Sequence, residues 1–261
     1  MNRRMKMKRL FAVLTALLFV LAACGNSEER SKNDSKTLTV GTEGTYAPFT
    51  FHDKDGKLTG YDVEVTEAVA KKAGYKVKFV ETQWDSMFSG LNAGRFDTVA
   101  NQVGINAERK EKYNFSKPYT YSEGVLVVRK NNDSIQSFDD VKGKKLAQTL
   151  TSNYGKLAKD KGAEITSVEG FNQAMEMVLS NRVEGTFNDN LSVLDYQKQK
   201  KAADIKLVTG DAEKSQSGFV FTKKTDKKVI EDINKALDEL HKDGTLTKIS
   251  KKWFGEDVSK A

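Results

Sequence analysis

"DVEVTEAVAKKAGYKVKFVETQWDSMFSGLNAGRFDTVA", residues 62–100, alternates two hydrophobic periods. Val65, Ala68, Val69 and Ala73 recur at helical spacing, with Asp62 as the expected N-cap and Gly74 as the stop. "KVKFVE" then reads as a strand. "WDSMFSGLNAG" is a helix turning Met87, Phe88 and Leu91 inward, and "FDTVA" is a second strand. Strands separated by helices of this length imply βαβ units and a mostly parallel sheet.

The pattern extends outward in both directions. "KTLTVGTEG" precedes it as a strand that breaks at Gly41 and Gly44. After Val127 the alternation restarts. "KKLAQT" is a strand, a helix opens near Asn153, and "FNQAMEMVLSN" places Phe171, Ala174, Met175, Val178 and Leu179 on one helical face. "VEGTFND", "SVLDYQKQK" and "IKLV" follow as strand, helix and strand, and "SGFVFTK" as a strand leading out. Two helices close the chain, in "DKKVIEDINKALDELHKDG" and "TLTKISKKWFG". The simplest architecture is an α/β fold of two lobes, residues 37–127 with 217–258 and residues 128–216. Two proline-free hinge crossings, near 125–131 and 214–222, would join them.

The formal charge of +7 suggests a nucleic-acid partner, but its distribution argues against one. Arg3, Arg4, Lys6, Lys8 and Arg9 lie in the first nine residues, so residues 24–261 carry 38 bases against 36 interleaved acids. Those first residues form the basic start of an export signal. "LFAVLTALLFVLAAC" is apolar on every face yet short for a membrane span. It ends in Leu21-Ala22-Ala23-Cys24, which resembles the lipobox of bacterial lipoproteins, where the signal is cut before the cysteine and the sulfur is acylated. Residues 1–23 are therefore read as signal peptide, Cys24 as the lipidation site, and residues 24–36 as a polar tether on the extracytoplasmic face of the membrane. Cys24 is the only cysteine, so no intramolecular disulfide forms.

Catalytic motifs are absent. His52 and His241 lie far apart, outside any metal-ligand spacing, and no GxSxG or phosphate-cradling loop occurs. No metal or cofactor is expected. Ligand-gripping residues instead follow strands, where open α/β sheets bind small molecules. In "GTEGTYAPF", Glu43 and Tyr46 precede a turn stiffened by Pro48, and in "ETQWD" Trp84 opens a helix; either aromatic could be ordinary packing. "ANQVGINAERK" offers backbone groups around Asn101, Gln102 and Gly104. Arg109 then provides a two-pronged donor for a carboxylate, unless it is a solvated surface group. "AQTLTSNYGK" carries Gln148, with Thr151 and Ser152 capping a helix whose free N–H groups suit an anion. Asp189 in "GTFNDN" is either an N-cap or a carboxylate facing an ammonium. Together these groups complement a zwitterionic amino acid.

"GTYAPFTFHDKDGKLTGYDVEV", "FDTVANQVGINAERKEKYNFSKPY" and "DGTLTKISKKWFG" carry a resemblance over Lys36–Gly255. The chain resembles the polar amino-acid family of bacterial solute-binding proteins that serve ABC importers. Through "ETQWDSMFSGLNAGRFDTVANQVGI" it is most similar to the cystine-binding members. The resemblance implies a periplasmic-binding-protein-like fold with L-cystine, or another polar amino acid, in the cleft between the lobes. It implies Arg109 on the α-carboxylate with N–H groups of Gly104 and Ser152, and Asp189 with the Gln102 carbonyl on the α-ammonium. Tyr46 and Trp84 would flank the side chain, with Glu43, Asn101 and Gln148 near its end. Gly104 stands where many relatives carry a hydroxyl residue. A monomer that closes by hinge motion and docks on a permease is expected. Two other readings remain. One is a dehydratase-like enzyme with Glu43 or Asp189 as general base, which needs a carboxylate of raised pKa. The other is a ligand sensor, which requires a transmembrane segment or a fused output domain, and neither is expected here.

Overall fold

The computed structural model describes residues 36–200, 204–210 and 214–261, and Lys36–Ala261 forms one compact unit. The proposed signal, Cys24 and most of the tether lie outside the described residues. No helix among those described is long and apolar enough to cross a membrane.

The chain begins with β1 (Thr37–Thr42), the short strands β2 (Thr45–Tyr46), β3 (Thr50–His52) and β4 (Leu58–Thr59), and helix α1 (Tyr61–Ala73). β5 (Lys76–Glu81), α2 (Trp84–Asn92), β6 (Thr98–Val99), α3 (Ala107–Lys112) and β7 (Tyr113–Phe115) complete the first run. The long β8 (Thr120–Arg129) leads into β9 (Lys145–Gln148), α4 (Asn153–Asp160), β10 (Glu164–Ser167), α5 (Phe171–Leu179), β11 (Gly185–Asp189), α6 (Asn190–Gln199) and β12 (Ile205–Val208). β13 (Lys214–Ser217) returns, followed by β14 (Val220–Thr222), α7 (Lys227–Lys242) and α8 (Thr245–Phe254).

Two sheets define the two lobes, in the order β5-β1-β6-β14-β7 and β10-β9-β11-β8-β12. Each is parallel where βαβ units build it, β1 with β5 and β6, and β9 with β10 and β11. Each becomes antiparallel where the chain crosses between lobes. β14 runs against β6 and β7, and β8 runs against β11 and β12. The sheets are mixed for that reason. The crossing itself is the antiparallel pair Thr120–Glu123 with Lys214–Ser217. It lies earlier than the expected 125–131, because Val125–Val128 are already buried in the second sheet. Residues 124–127 therefore pair within the second sheet rather than belonging to the first lobe.

Local chemistry explains several boundaries. Helix α1 is capped by Gly60 rather than Asp62: Gly60 has φ 132°, and a Cβ there would lie 2.1 Å from the Phe49 carbonyl oxygen. Asp62 turns inward from the helix's first turn. β1 does not break at Gly41, since the missing Cβ makes room for the Phe96 ring, which one would meet at 2.6 Å. Met87 and Leu91 of α2 are fully buried, as are Ala174, Met175 and Val178 of α5, while Leu179 points to solvent. The segment "SGFVFTK" is interrupted at Gly218-Phe219, so β13 and β14 serve different sheets. Helices α7 and α8 pack on α1, burying Ile233, Leu237, Leu240 and Leu246, each contributing roughly 1.5–3 kcal/mol.

Candidate functional site

A cavity lies between the lobes, with about 520 Å³ of empty space including the part open to solvent. From the first lobe it is lined by Glu43, Tyr46, Trp84, Asn101 and Gln102, and from the second by Gln148, Ser152, Tyr154, Phe171 and Asn188, among others. Each follows or ends a strand: β1, β6, β9 and β11 all deliver their C-terminal ends here.

Three polar atoms of its lining have no partner among the described residues. Gln102 Oε1, Gln148 Nε2 and Trp84 Nε1 are buried without hydrogen-bond partners. One acceptor and two donors thus stand unsatisfied, and each such group costs about 1–3 kcal/mol. Glu43 accepts from Asn101 Nδ2 at 2.5 Å, while Asn101 Oδ1 accepts from the Glu43 backbone N–H at 2.8 Å. Burial dominates that hydrogen bond and raises the Glu43 pKa to about 7.

Gln102 adopts φ 51°, in the left-handed region, and is held there by Asp62. The Asp62 carboxylate accepts from Gln102 N at 2.7 Å, Gln102 Nε2 at 2.6 Å and the Tyr119 hydroxyl at 3.1 Å. Burial pushes the Asp62 pKa up to about 7. Sequence reasoning placed Asp62 at a cap and missed this role. The available signal was an acid on the apolar stripe of α1, three and seven residues before Val65 and Val69.

Arg109 is buried, not a surface group. Its guanidinium carbon stands 5.5 Å from the Trp84 ring centroid and 5.1 Å from that of Phe88. Nη1 donates to the Gly104 carbonyl at 3.1 Å and Nη2 to that of Thr151 at 3.5 Å. Desolvation lowers its pKa to about 10. Among the described residues no carboxylate forms an ion pair with it. Arg109 and Thr151 line a groove that adjoins the cavity and shares Ser152 and Asn153 with it. A Cβ at Gly104 would meet Arg109 Nη1 at an ordinary 3.6 Å, so there is room for a small side chain.

Ser152 is the N-cap of α4, its Oγ accepting from Gly155 N at 2.9 Å. Thr151 does not share the capping: its N–H and hydroxyl both turn to Asp85 in the other lobe. Asp189 is the N-cap of α6, Oδ1 accepting from Leu191 N at 3.0 Å. Its Oδ2 accepts from Ser122 of the crossing strand and from the Tyr154 hydroxyl at 3.4 Å, which sets it behind Tyr154 and off the cavity wall. Burial raises its pKa to about 6, and no cation pairs with it among the described residues. The structure therefore brings seven expected residues to one cavity (Glu43, Tyr46, Trp84, Asn101, Gln102, Gln148 and Ser152). Arg109, Thr151 and Gly104 line the grooves beside it, and Asp189 lies behind Tyr154.

The lobes also touch directly. The Tyr46 hydroxyl donates to Asn188 Oδ1 at 2.6 Å, Ser192 Oγ to the Ala47 carbonyl at 2.9 Å, and Asn172 Nδ2 to the Thr45 carbonyl at 3.3 Å. No cluster of potential metal ligands occurs among the described residues.

Three relatives place the chain. It is 51% identical over 270 residues to the L-cystine-binding protein TcyA of Bacillus subtilis, covering 98% of this chain and 100% of that one. The L-cystine solute receptor of Neisseria gonorrhoeae, solved unliganded and open, is 51% identical with a TM-score of 0.59, covering 88% and 97% of the two chains. An ancestral arginine-binding protein bound to glutamine is 40% identical yet reaches 0.79, covering 84% and 98%. The lower score against the more similar sequence fits lobes that are closed here and apart in the open receptor. The model of bacterial extracellular solute-binding proteins, family 3, matches residues 38–256, and the chain belongs to that family.

Proposed function

We propose that this protein is a receptor that captures an amino acid, L-cystine above others, and presents it to an ABC permease by closing its lobes. The observation that carries the reading is a pair of uncompensated charges. Among the described residues, Arg109, on the first lobe, is a buried cation without an anion, and Asp189, on the second, is a buried anion without a cation. A zwitterion bridging the lobes brings a carboxylate for Arg109 and an ammonium for Asp189, which the Tyr154 hydroxyl separates from the cavity in the empty protein, and charge-assisted bonds are about twice as strong as neutral ones. The unsatisfied atoms of Gln102, Gln148 and Trp84 then meet the rest of the ligand.

Cystine suits the wall that remains. Tyr46, Trp84 and Phe171 offer aromatic surface to a disulfide, each sulfur contact contributing about 0.3–1.5 kcal/mol. The L-cystine-binding relatives support the same choice. Competition calorimetry with cystine, glutamine, arginine and histidine tests it. Cystine should displace the others at the lowest concentration, and the opposite order leaves only the general amino-acid receptor. We also propose that Cys24 is the acylated mature N-terminus and that residues 25–36 tether a monomer to the membrane.

The enzyme reading retains one favourable feature: Glu43 and Asp189 both have raised pKa values. Incubation with candidate amino acids distinguishes it, since a receptor returns its ligand unchanged.

A further inference from the structure

One contact between the lobes differs from the others. Asp85 follows Trp84 in the first turn of α2, where the helix dipole favours a carboxylate. It accepts three hydrogen bonds from the opposite lobe: Leu150 N at 3.2 Å, Thr151 N at 3.0 Å and Thr151 Oγ1 at 2.8 Å. The other hydrogen bonds described across the cleft are that of Arg109 to the Thr151 carbonyl and three between neutral groups on the turn at residues 45–47.

We propose that Asp85 is a latch that closes the lobes independently of ligand and thereby sets how tightly the receptor holds its cargo. The proposal rests on the receptor reading, and none of its three bonds needs a ligand. The geometry ties the latch to the candidate site on both sides. Asp85 adjoins Trp84, a cavity wall, and Thr151 adjoins Ser152, another. The Thr151 carbonyl also accepts from Arg109, so the segments that flank the latch are those that would hold the ligand carboxylate. When the lobes part, the carboxylate and the two N–H groups return to water. Because all of these residues are solvent-exposed, the gain is moderate. Such a latch raises the closed fraction of the empty protein, and apparent affinity scales with the binding-competent fraction.

The test compares Asp85→Ala, Thr151→Val and the double variant on the full-length protein. Single-molecule energy transfer between dyes on the two lobes reads the closed fraction without ligand, and stopped-flow release reads the ligand off-rate. Asp85→Ala should lower the closed-to-open ratio and speed cystine release by roughly three- to tenfold. Thr151→Val, which keeps the backbone N–H, should do less, and the double variant should match Asp85→Ala alone. Asp160→Ala, which breaks the Lys156 pair within one lobe, should leave closure unchanged. A closed fraction and release rate indifferent to Asp85, or effects that simply add, overturn the latch. The ligand-free measurement stands even where no amino acid binds, so failure of the latch and failure of the receptor reading are separable.

Discussion

Replacing Arg109 by methionine should move binding and stability in opposite directions. In the ligand-free protein the guanidinium is buried against Trp84 and Phe88, with two backbone carbonyls and, among the described residues, no carboxylate as partners. The fall of its pKa to about 10 reflects desolvation. At 1.36 kcal/mol per pKa unit, burial of the charge costs on the order of 3 kcal/mol, part of which the aromatic stacking returns. Methionine keeps an apolar stem on the same rings and removes the charge. The empty variant should be more stable by about 1–3 kcal/mol, a rise of roughly 2–10 °C in Tm. Its binding should collapse: truncating one partner of a buried charge pair costs about 2–5 kcal/mol, or roughly thirty- to several-thousand-fold in affinity. Calorimetry with cystine and thermal melts without it measure the two effects. A variant that binds normally, or whose empty form is destabilised, would refute the assignment of Arg109 as a buried charge awaiting a ligand.

The other predictions concern charge, anchoring and motion. Glu43, Asp62 and Asp189 have folded pKa values of about 7, 7 and 6, above the unfolded carboxylate range, so the folded state binds more protons between pH 4 and 7. Ligand-free stability should therefore fall as pH rises from about 5 to 7.5, opposed by His241, whose pKa burial lowers. Melts that are flat or rise with pH contradict this. Gly60→Ala should destabilise the fold by more than about 2 kcal/mol, because its Cβ meets the Phe49 carbonyl at 2.1 Å; denaturant titration measures the loss. Cys24→Ala should release the protein from membranes or leave its signal uncut, and an anchored, normally processed variant rejects the lipobox. Scattering should give a smaller radius of gyration with cystine than without, whereas superimposable curves would show that cystine does not shift the balance between open and closed forms.

Period and punctuation in the sequence determine much of this protein. The alternation of strands and helices, their order and most of their boundaries follow from local apolar spacing and from stops such as Gly74, because backbone geometry imposes those periods on any chain. The candidate binding residues were legible for a related reason, since short loops after parallel strands put Glu43, Trp84, Asn101 and Gln148 at one edge of the sheets. Tertiary packing decided the rest. The crossing could not be located from a strand's own residues, because β8 is one uninterrupted run whose first half pairs with β13 and second half with β11 and β12. Asp62 reads as a helix cap until Gln102 and Tyr119, 40 and 57 residues away, supply its partners. Thr151 reads as a cap until Asp85 arrives from the other lobe. Whether a polar residue serves its own backbone or a distant group depends on what burial brings within hydrogen-bonding distance, and that is a property of the assembled fold.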